Sequence, residues 1–305
     1  MESKQGGQKA YRAFCTAYVV PLSHQPWWLD AVCGPEGWGA AANEGGIWPY
    51  VRTQRWGIPI VQLPPYTAYA GPWLVPLSKM PSYKRLRREQ RTITELVAQL
   101  PRGSFFFRQN CLPDFTNGLP LLWSGFRLST RYTYCIAAGH SVSRLHAALK
   151  HTLRTELRHA AHALEVETTL DADLLFAPYA ASLRRRGIKS CPKTPFIRLV
   201  SALQERKQGI GWIARHRAEE TAIAGLLLAF DSQRAAVLTA GRFYHRRLPG
   251  ALHCLYWEAI CFCAQRGLHL DFEGSMAPGL ERVFRAFGAQ PQPYLQLVRP
   301  RWIWW

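Results

Sequence analysis

Between Leu268 and Glu273 the chain alternates. Leu268, Leu270 and Phe272 take every second position and His269, Asp271 and Glu273 the others, a period of two that sets three apolar groups on one face of a strand and three ionisable groups on the other. Patterning extends the reading both ways. Ala235–Ala240 reads as a short strand, residues 241–250 as a loop carrying Arg242, Tyr244, His245, Arg246 and Arg247, and Ala251–Arg266 as a helix. Beyond the central strand, Pro278–Phe287 reads as a helix closed by Gly288, and Tyr294–Val298 as a last strand. Two strands joined through a helix lie parallel, and ligands of open parallel sheets collect beyond the carboxyl ends of the strands. The basic loop and the two carboxylates both fall at that end.

Upstream, residues 1–11 are polar and predict a disordered start. Trp27–Val32 predicts a short helix, and Trp48–Gln54 with Ile58–Leu63 a hairpin around Arg55-Trp56-Gly57. A proline-aromatic loop covers residues 64–72, and a helix runs from Lys84 to Leu100. Its opening residues Lys84, Arg85, Arg87, Arg88 and Arg91 face a single Glu89, which suits either a solvated face or phosphate contact. Ser104–Gln109 and Leu128–Tyr134 read as strands. In the second, Arg131 shares a face with Thr133, and Tyr132 with Tyr134; a charge within an aromatic strand needs a partner, which makes Arg131 a substrate-anchor candidate. Leu145, Leu149, Leu153, Leu157, Ala160 and Leu164 predict one helix from Val142 to Leu164. His146, Lys150, Arg154, Arg158 and His162 form a basic stripe beside them, suited to water or to an anion, without the carboxylates or thiolates of a metal site. Helices at Leu174–Arg186 and Phe196–Gln204 precede strands at Gly211–Arg215 and Ala222–Phe230. Strands clustered before a strand-helix-strand unit predict an α+β fold, with a domain boundary near Gly139-His140.

Charge narrows the partners. Lys and Arg number 38 against 20 Asp and Glu, a formal +18 over 305 residues, which suits a polyanion, a membrane surface or a plainly solvated basic face. The candidates are tRNA, a phosphate-bearing cofactor such as coenzyme A, and anionic lipid or its pyrophosphate-linked precursors. The 8 cysteines show no CxxC pair and read as reduced thiols. No apolar run approaches a membrane span and none at the start suits export, so the expected place is the cytoplasm, with peripheral membrane contact allowed. P-loop, dinucleotide, nucleophile-elbow and zinc-ligand spacings are absent, and no metal or tightly bound cofactor is expected.

The order strand, basic loop, helix, strand, acidic turn, helix, strand resembles the second half of a GNAT-type acyltransferase. The run Asp271–Gly288, with Tyr294 beyond it, is similar to the closing motif of the FemAB-like branch; Tyr66–Gly71, Asn117–Tyr134 and Leu149–Val166 are similar to other segments of that branch. The resemblance implies two GNAT-like domains, a degenerate one over residues 1–139 and a better preserved one over 140–305, each a mixed, mostly antiparallel sheet flanked by helices. It implies acyl or aminoacyl transfer to an amine borne by a cell-wall precursor, sugar, lipid or small molecule. Aminoacyl-tRNA is the preferred donor, because Arg247-Leu-Pro-Gly250-Ala-Leu252 supplies the Arg and first Gly of a GNAT pyrophosphate loop but ends on Leu where a small residue belongs. Acyl-CoA is the alternative donor, and a non-catalytic RNA-binding protein that kept the fold is the alternative of another class. Arg242, Tyr244, His245, Arg247 and Gly250 are the donor-site candidates. Arg131, Tyr132, Tyr134, Asn117, Trp123, Ser275 and Trp257 are the substrate-site candidates. Acyl transfer needs an unprotonated amine, and Glu273, then Asp271, is placed to accept the ammonium proton; holding the loop arginines is the competing role for both.

Overall fold

A computed structural model describes residues 2–189, 192–219, 221–244, 248–274 and 276–300. The chain divides into two compact units: residues up to Arg131 together with those from Pro293 onward, and Tyr132–Gln292. The division lies upstream of Gly139-His140, and the last strand returns to the first unit. Its cause is a strand reaching Ile136 that pairs inside the second unit through Cys135 and Ile136.

The first unit opens with α1 (Glu2–Ala17), where the polar composition predicted disorder. Two aromatic side chains hold that helix: Tyr11 and Phe14 are buried with Trp38 and Ile47. Then follow α2 (Pro26–Cys33), β1 (Gly39–Asn43), the hairpin β2 (Gly46–Arg55) and β3 (Ile58–Gln62), β4 (Trp73–Leu74), α3 (Ser82–Gln99), β5 (Phe106–Asn110) and α4 (Leu119–Trp123). The sheet order is β1-β2-β3-β5 with the final strand beside β5, parallel only between β3 and β5. The Tyr66–Gly71 loop is pinned from inside. His24 Nε2 donates to the Gly71 carbonyl at 2.8 Å and its Nδ1 accepts from Ser23 Oγ at 3.1 Å, while Trp28 Nε1 donates to Thr67 Oγ1 at 2.9 Å. Burial pushes the His24 imidazole down to about 4.

In the second unit, β6 (Arg127–Ile136) enters from the first. It leads to α5 (Val142–Ala148), α6 (His151–Ala163), β7 (Leu164–Thr168), α7 (Ala172–Arg185), α8 (Lys193–Glu205), β8 (Gly209–His216), β9 (Ala222–Phe230), β10 (Arg234–Arg242), α9 (Ala251–Arg266), β11 (His269–Asp271), α10 (Pro278–Ala286) and β12 (Gln290–Pro300). The strand order is β6-β11-β10-β9-β8-β7, antiparallel except for β10 with β11. The single helix predicted over Val142–Leu164 is two. At the junction the Lys150 N–H leaves the helical ladder for the Ala286 carbonyl (3.0 Å), and Leu164 turns into β7. The predicted apolar stripe is nonetheless buried throughout.

Packing on the two faces of this sheet places the strand ends. Ala224, Leu226 and Leu228 join Leu255, Ala259 and Ile260 of α9 in one core. The opposite face is floored with glycine. Gly225 and Gly241 are cross-strand partners, and a Cβ on Gly241 would lie 2.4 Å from the Pro178 carbonyl oxygen and 2.5 Å from Tyr179 Cα. Helix α7 therefore rests directly on the backbone. Strand β10 also carries a bulge, with the register shifting between Val237 and Thr239. Ala235 and Val237 face the α9 core before it, and Ala240 after it, which leaves Gly241 for α7.

Two outcomes follow. Gly241→Ala should lift α7 and destabilise by about 1–3 kcal/mol, read as a lower urea midpoint at unchanged slope. His24 must stay neutral in the fold, so its contribution is complete above its ordinary value of 6.5 and is lost as pH falls toward about 4. Urea titrations over that interval should show up to about 3 kcal/mol lost in the parent and less in His24→Gln.

Candidate functional site

Strands β10 and β11 pair only over Arg234–Ala236 and His269–Asp271. Beyond Ala236, β10 runs on to Arg242 with no β11 partner among the described residues, so its backbone edge opens at the carboxyl ends of both strands. Leu268, Leu270 and Phe272 are buried on one face as the alternation predicted. Phe272 stacks on Phe284 of α10 at 4.6 Å, and Tyr256 of α9 lies 5.7 Å from it. That aromatic packing fixes the turn carrying the carboxylates.

Asp271 is the hub of the turn. Its Oδ1 accepts from Thr133 Oγ1 of β6 at 2.5 Å and from the Glu273 N–H at 2.7 Å. Glu273 takes a left-handed conformation, φ 51°, with Gly274 following at φ 73°. A non-glycine residue there is uncommon and costs on the order of 1 kcal/mol or more. Glu273 retains some exposed surface but sits in dense protein. Burial first, and repulsion from Asp271 second, raise its carboxyl well above the ordinary 4.5. Tyr132 is exposed and Tyr134 half-buried, the latter packing on Phe284 at 5.8 Å.

At the end of β10, Ser182 Oγ of α7 accepts from the Arg242 N–H at 2.8 Å and donates to the Arg242 carbonyl at 3.3 Å. Two guanidiniums meet one ring there. The Arg185 Cζ lies 3.7 Å and the Arg242 Cζ 4.7 Å from the centre of Tyr244, and neither has a carboxylate partner among the described residues. Cations gathered on an aromatic face without a counter-charge suit an anion. Gly250 caps α9 at φ 82°, against Ala160 and Glu156 of α6, and Leu252 turns inward onto the α9 core.

The structure therefore gathers Asp271 and Glu273 with Tyr132 and Tyr134 through the β6–β11 pairing, and Arg242 with Tyr244. Trp257 instead packs on His146 of α5 at 5.6 Å. Arg131, Asn117 and Trp123 belong to the first unit: Arg131 is half-buried, Asn117 donates to Glu89 at 2.9 Å, and Trp123 is 68 % exposed on α4. His245, Arg247 and Ser275 lie outside the described residues. Sequence reasoning missed Thr133 as the holder of Asp271, and Arg185 within the Arg184–Arg186 triplet. Only that triplet's position, at the end of a helix facing glycine strands, could have signalled it.

Residues 147–279 match the family described as acetyltransferase (GNAT) domain. Over that stretch the chain carries a GNAT-like domain. Its domain places it among the acyltransferases, and its fold is FemAB-like. The crystal structure of FemX superposes with a TM-score of 0.66 at 14% identity, covering 95% of each chain. The C-terminal domain of a putative lysylphosphatidylglycerol synthetase from Agrobacterium fabrum gives 0.57 at 11%, covering 98% of this chain and 92% of that one. A tandem GNAT protein from the clavulanic acid biosynthesis pathway gives 0.52 at 9%, covering 97% and 94%. These likenesses give the chain a two-domain GNAT fold. Curated protein sequences yield no match.

The raised Glu273 carboxyl gives a signed outcome. A protonated Glu273 suits the fold, so its contribution is present at and below pH 4.5 and is lost as pH rises through its elevated value. Glu273→Gln should match the parent in stability under acid and exceed it increasingly toward alkaline pH, as read from paired urea titrations.

Proposed function

We propose that this protein forms an amide between an aminoacyl group, delivered by aminoacyl-tRNA, and an amine acceptor, with Glu273 as the proton acceptor. The observation that carries the reading is Glu273 itself, a carboxyl held in a left-handed turn where β10 and β11 part, with its proton affinity raised by burial. Such a group is basic enough to deprotonate an ammonium that an ordinary carboxylate would leave charged. The freed amine attacks the donor carbonyl, a C–N bond forms, and the ester C–O bond to the tRNA ribose breaks. The proton taken by Glu273 leaves through water, and the ribose oxygen gains one. Asp271 is a positioning residue here, since one of its oxygens holds both Thr133 and the Glu273 backbone. Tyr132 and Tyr134 border the acceptor, and Ser275 hydrogen-bonds it. Arg242, Tyr244 and Arg185 hold the donor phosphate at the end of β10, with His245, Arg247 and Gly250 completing that side. The +18 charge supports a polyanionic donor, and a neighbour named for lysylphosphatidylglycerol supports an aminoacyl group as the cargo. The work is done in the cytoplasm.

A second reading takes acyl-CoA as donor. It is supported by the match to an acetyltransferase domain and by Leu252, whose side chain is drawn into the core rather than left in the phosphate turn.

The deciding experiment sets purified protein against bulk charged tRNA and a panel of acyl-CoAs at physiological salt, with amine acceptors present. The expected result is tRNA binding with transfer to an amine, and Glu273→Gln lowering turnover about 10²–10⁴-fold while binding holds. Saturable acyl-CoA binding without tRNA affinity would replace the donor. RNA binding that survives both Glu273→Gln and Asp271→Asn, with no transfer by the parent, would mark a binder instead of an enzyme.

A further inference from the structure

The first unit presents an apolar face that its own core does not use. In α4, Pro120 and Leu121 are buried, while Leu119, Leu122 and Trp123 are 54 %, 46 % and 68 % exposed. Positions i, i+3 and i+4 share one side of a helical turn. Helix α3 runs beside it: Asn117, just before α4, donates to Glu89, and Leu121 packs in one core with Ile93 and Leu96. The opening turns of α3 carry exposed Lys84, Arg87 and Arg88. The one acid among them, Glu89, is already engaged by Asn117 and lies 3.9 Å from Arg85.

We infer that this face, α4 with the start of α3, docks the protein on an anionic membrane surface. Indole and aliphatic groups enter the boundary between headgroups and acyl chains, and the flanking cations remain with the lipid phosphates. RNA would satisfy the same cations, but it offers no apolar phase to a pair of leucines held in water. No helix among the described residues is long and apolar enough to cross a membrane, so the contact is peripheral.

The test is co-sedimentation of the full chain with vesicles of phosphatidylcholine alone and with an equal part of phosphatidylglycerol. Binding to the mixed vesicles should exceed binding to the neutral ones and weaken with added salt. The double variant Leu119→Ser, Leu122→Ser should bind roughly tenfold more weakly at an unchanged thermal midpoint, since both side chains already face water. The triple variant Lys84→Ala, Arg87→Ala, Arg88→Ala should lose about fivefold per charge removed. Failure of the parent to sediment with the mixed vesicles overturns the inference. So does a leucine variant that binds like the parent while the charge variant does not and tRNA displaces both, because the face would then read polyanions without lipid.

Discussion

One carboxylate oxygen holds the acidic turn in shape. Asp271 Oδ1 receives a side-chain donor from β6 and a backbone donor from Glu273, and so ties the strand that enters the second unit to the strand at its centre. Such a bond also compensates the residue it holds. The left-handed φ of Glu273 is unfavourable for a side chain with a Cβ, and a charge-assisted bond to its own N–H is among the stronger interactions that can offset that cost. Asp271 also repels the charge that Glu273 would carry, so the residue that shapes the turn helps set the proton affinity within it.

The other side of the site rests on an absence of side chains. With Gly225 and Gly241 opposite one another, α7 approaches the sheet at backbone distance, and Ser182 reaches the Arg242 peptide. Arg185, at the end of that helix, then arrives over the ring that Arg242 also covers. The two guanidiniums at this end are brought together by helix packing. A carboxyl that holds its proton strongly and a pair of guanidiniums without a carboxylate partner among the described residues thus stand at the carboxyl ends of two neighbouring parallel strands.

Much of this was legible in the chain. The alternation of Leu268–Glu273 needed no other information, because a period of two with one face buried has a single solution. The helix Ala251–Arg266, the hairpin around Trp56 and the parallel crossover were readable on similar grounds. What stayed hidden was fixed by distant partners. The break at Leu149-Lys150 interrupts an unbroken apolar stripe, and its cause is a carbonyl at Ala286. Helix α1 is polar along most of its length and is held by Tyr11 and Phe14, too few apolar positions for a periodic signal. Arg185 and Tyr244 are far apart in sequence, so their stacking could not be read from either segment.

The bulge in β10 governs phase. Ahead of it the odd-numbered positions face the α9 core, and behind it the even-numbered ones do. The same residues run as a regular strand, without the bulge, would bring Arg242 to the α7 side and turn Gly241 toward the core. A buried guanidinium would then occupy a contact that has no room for a methyl group. The bulge is therefore a discrete quantity, and losing it while keeping every amino acid would exchange the faces of Gly241 and Arg242.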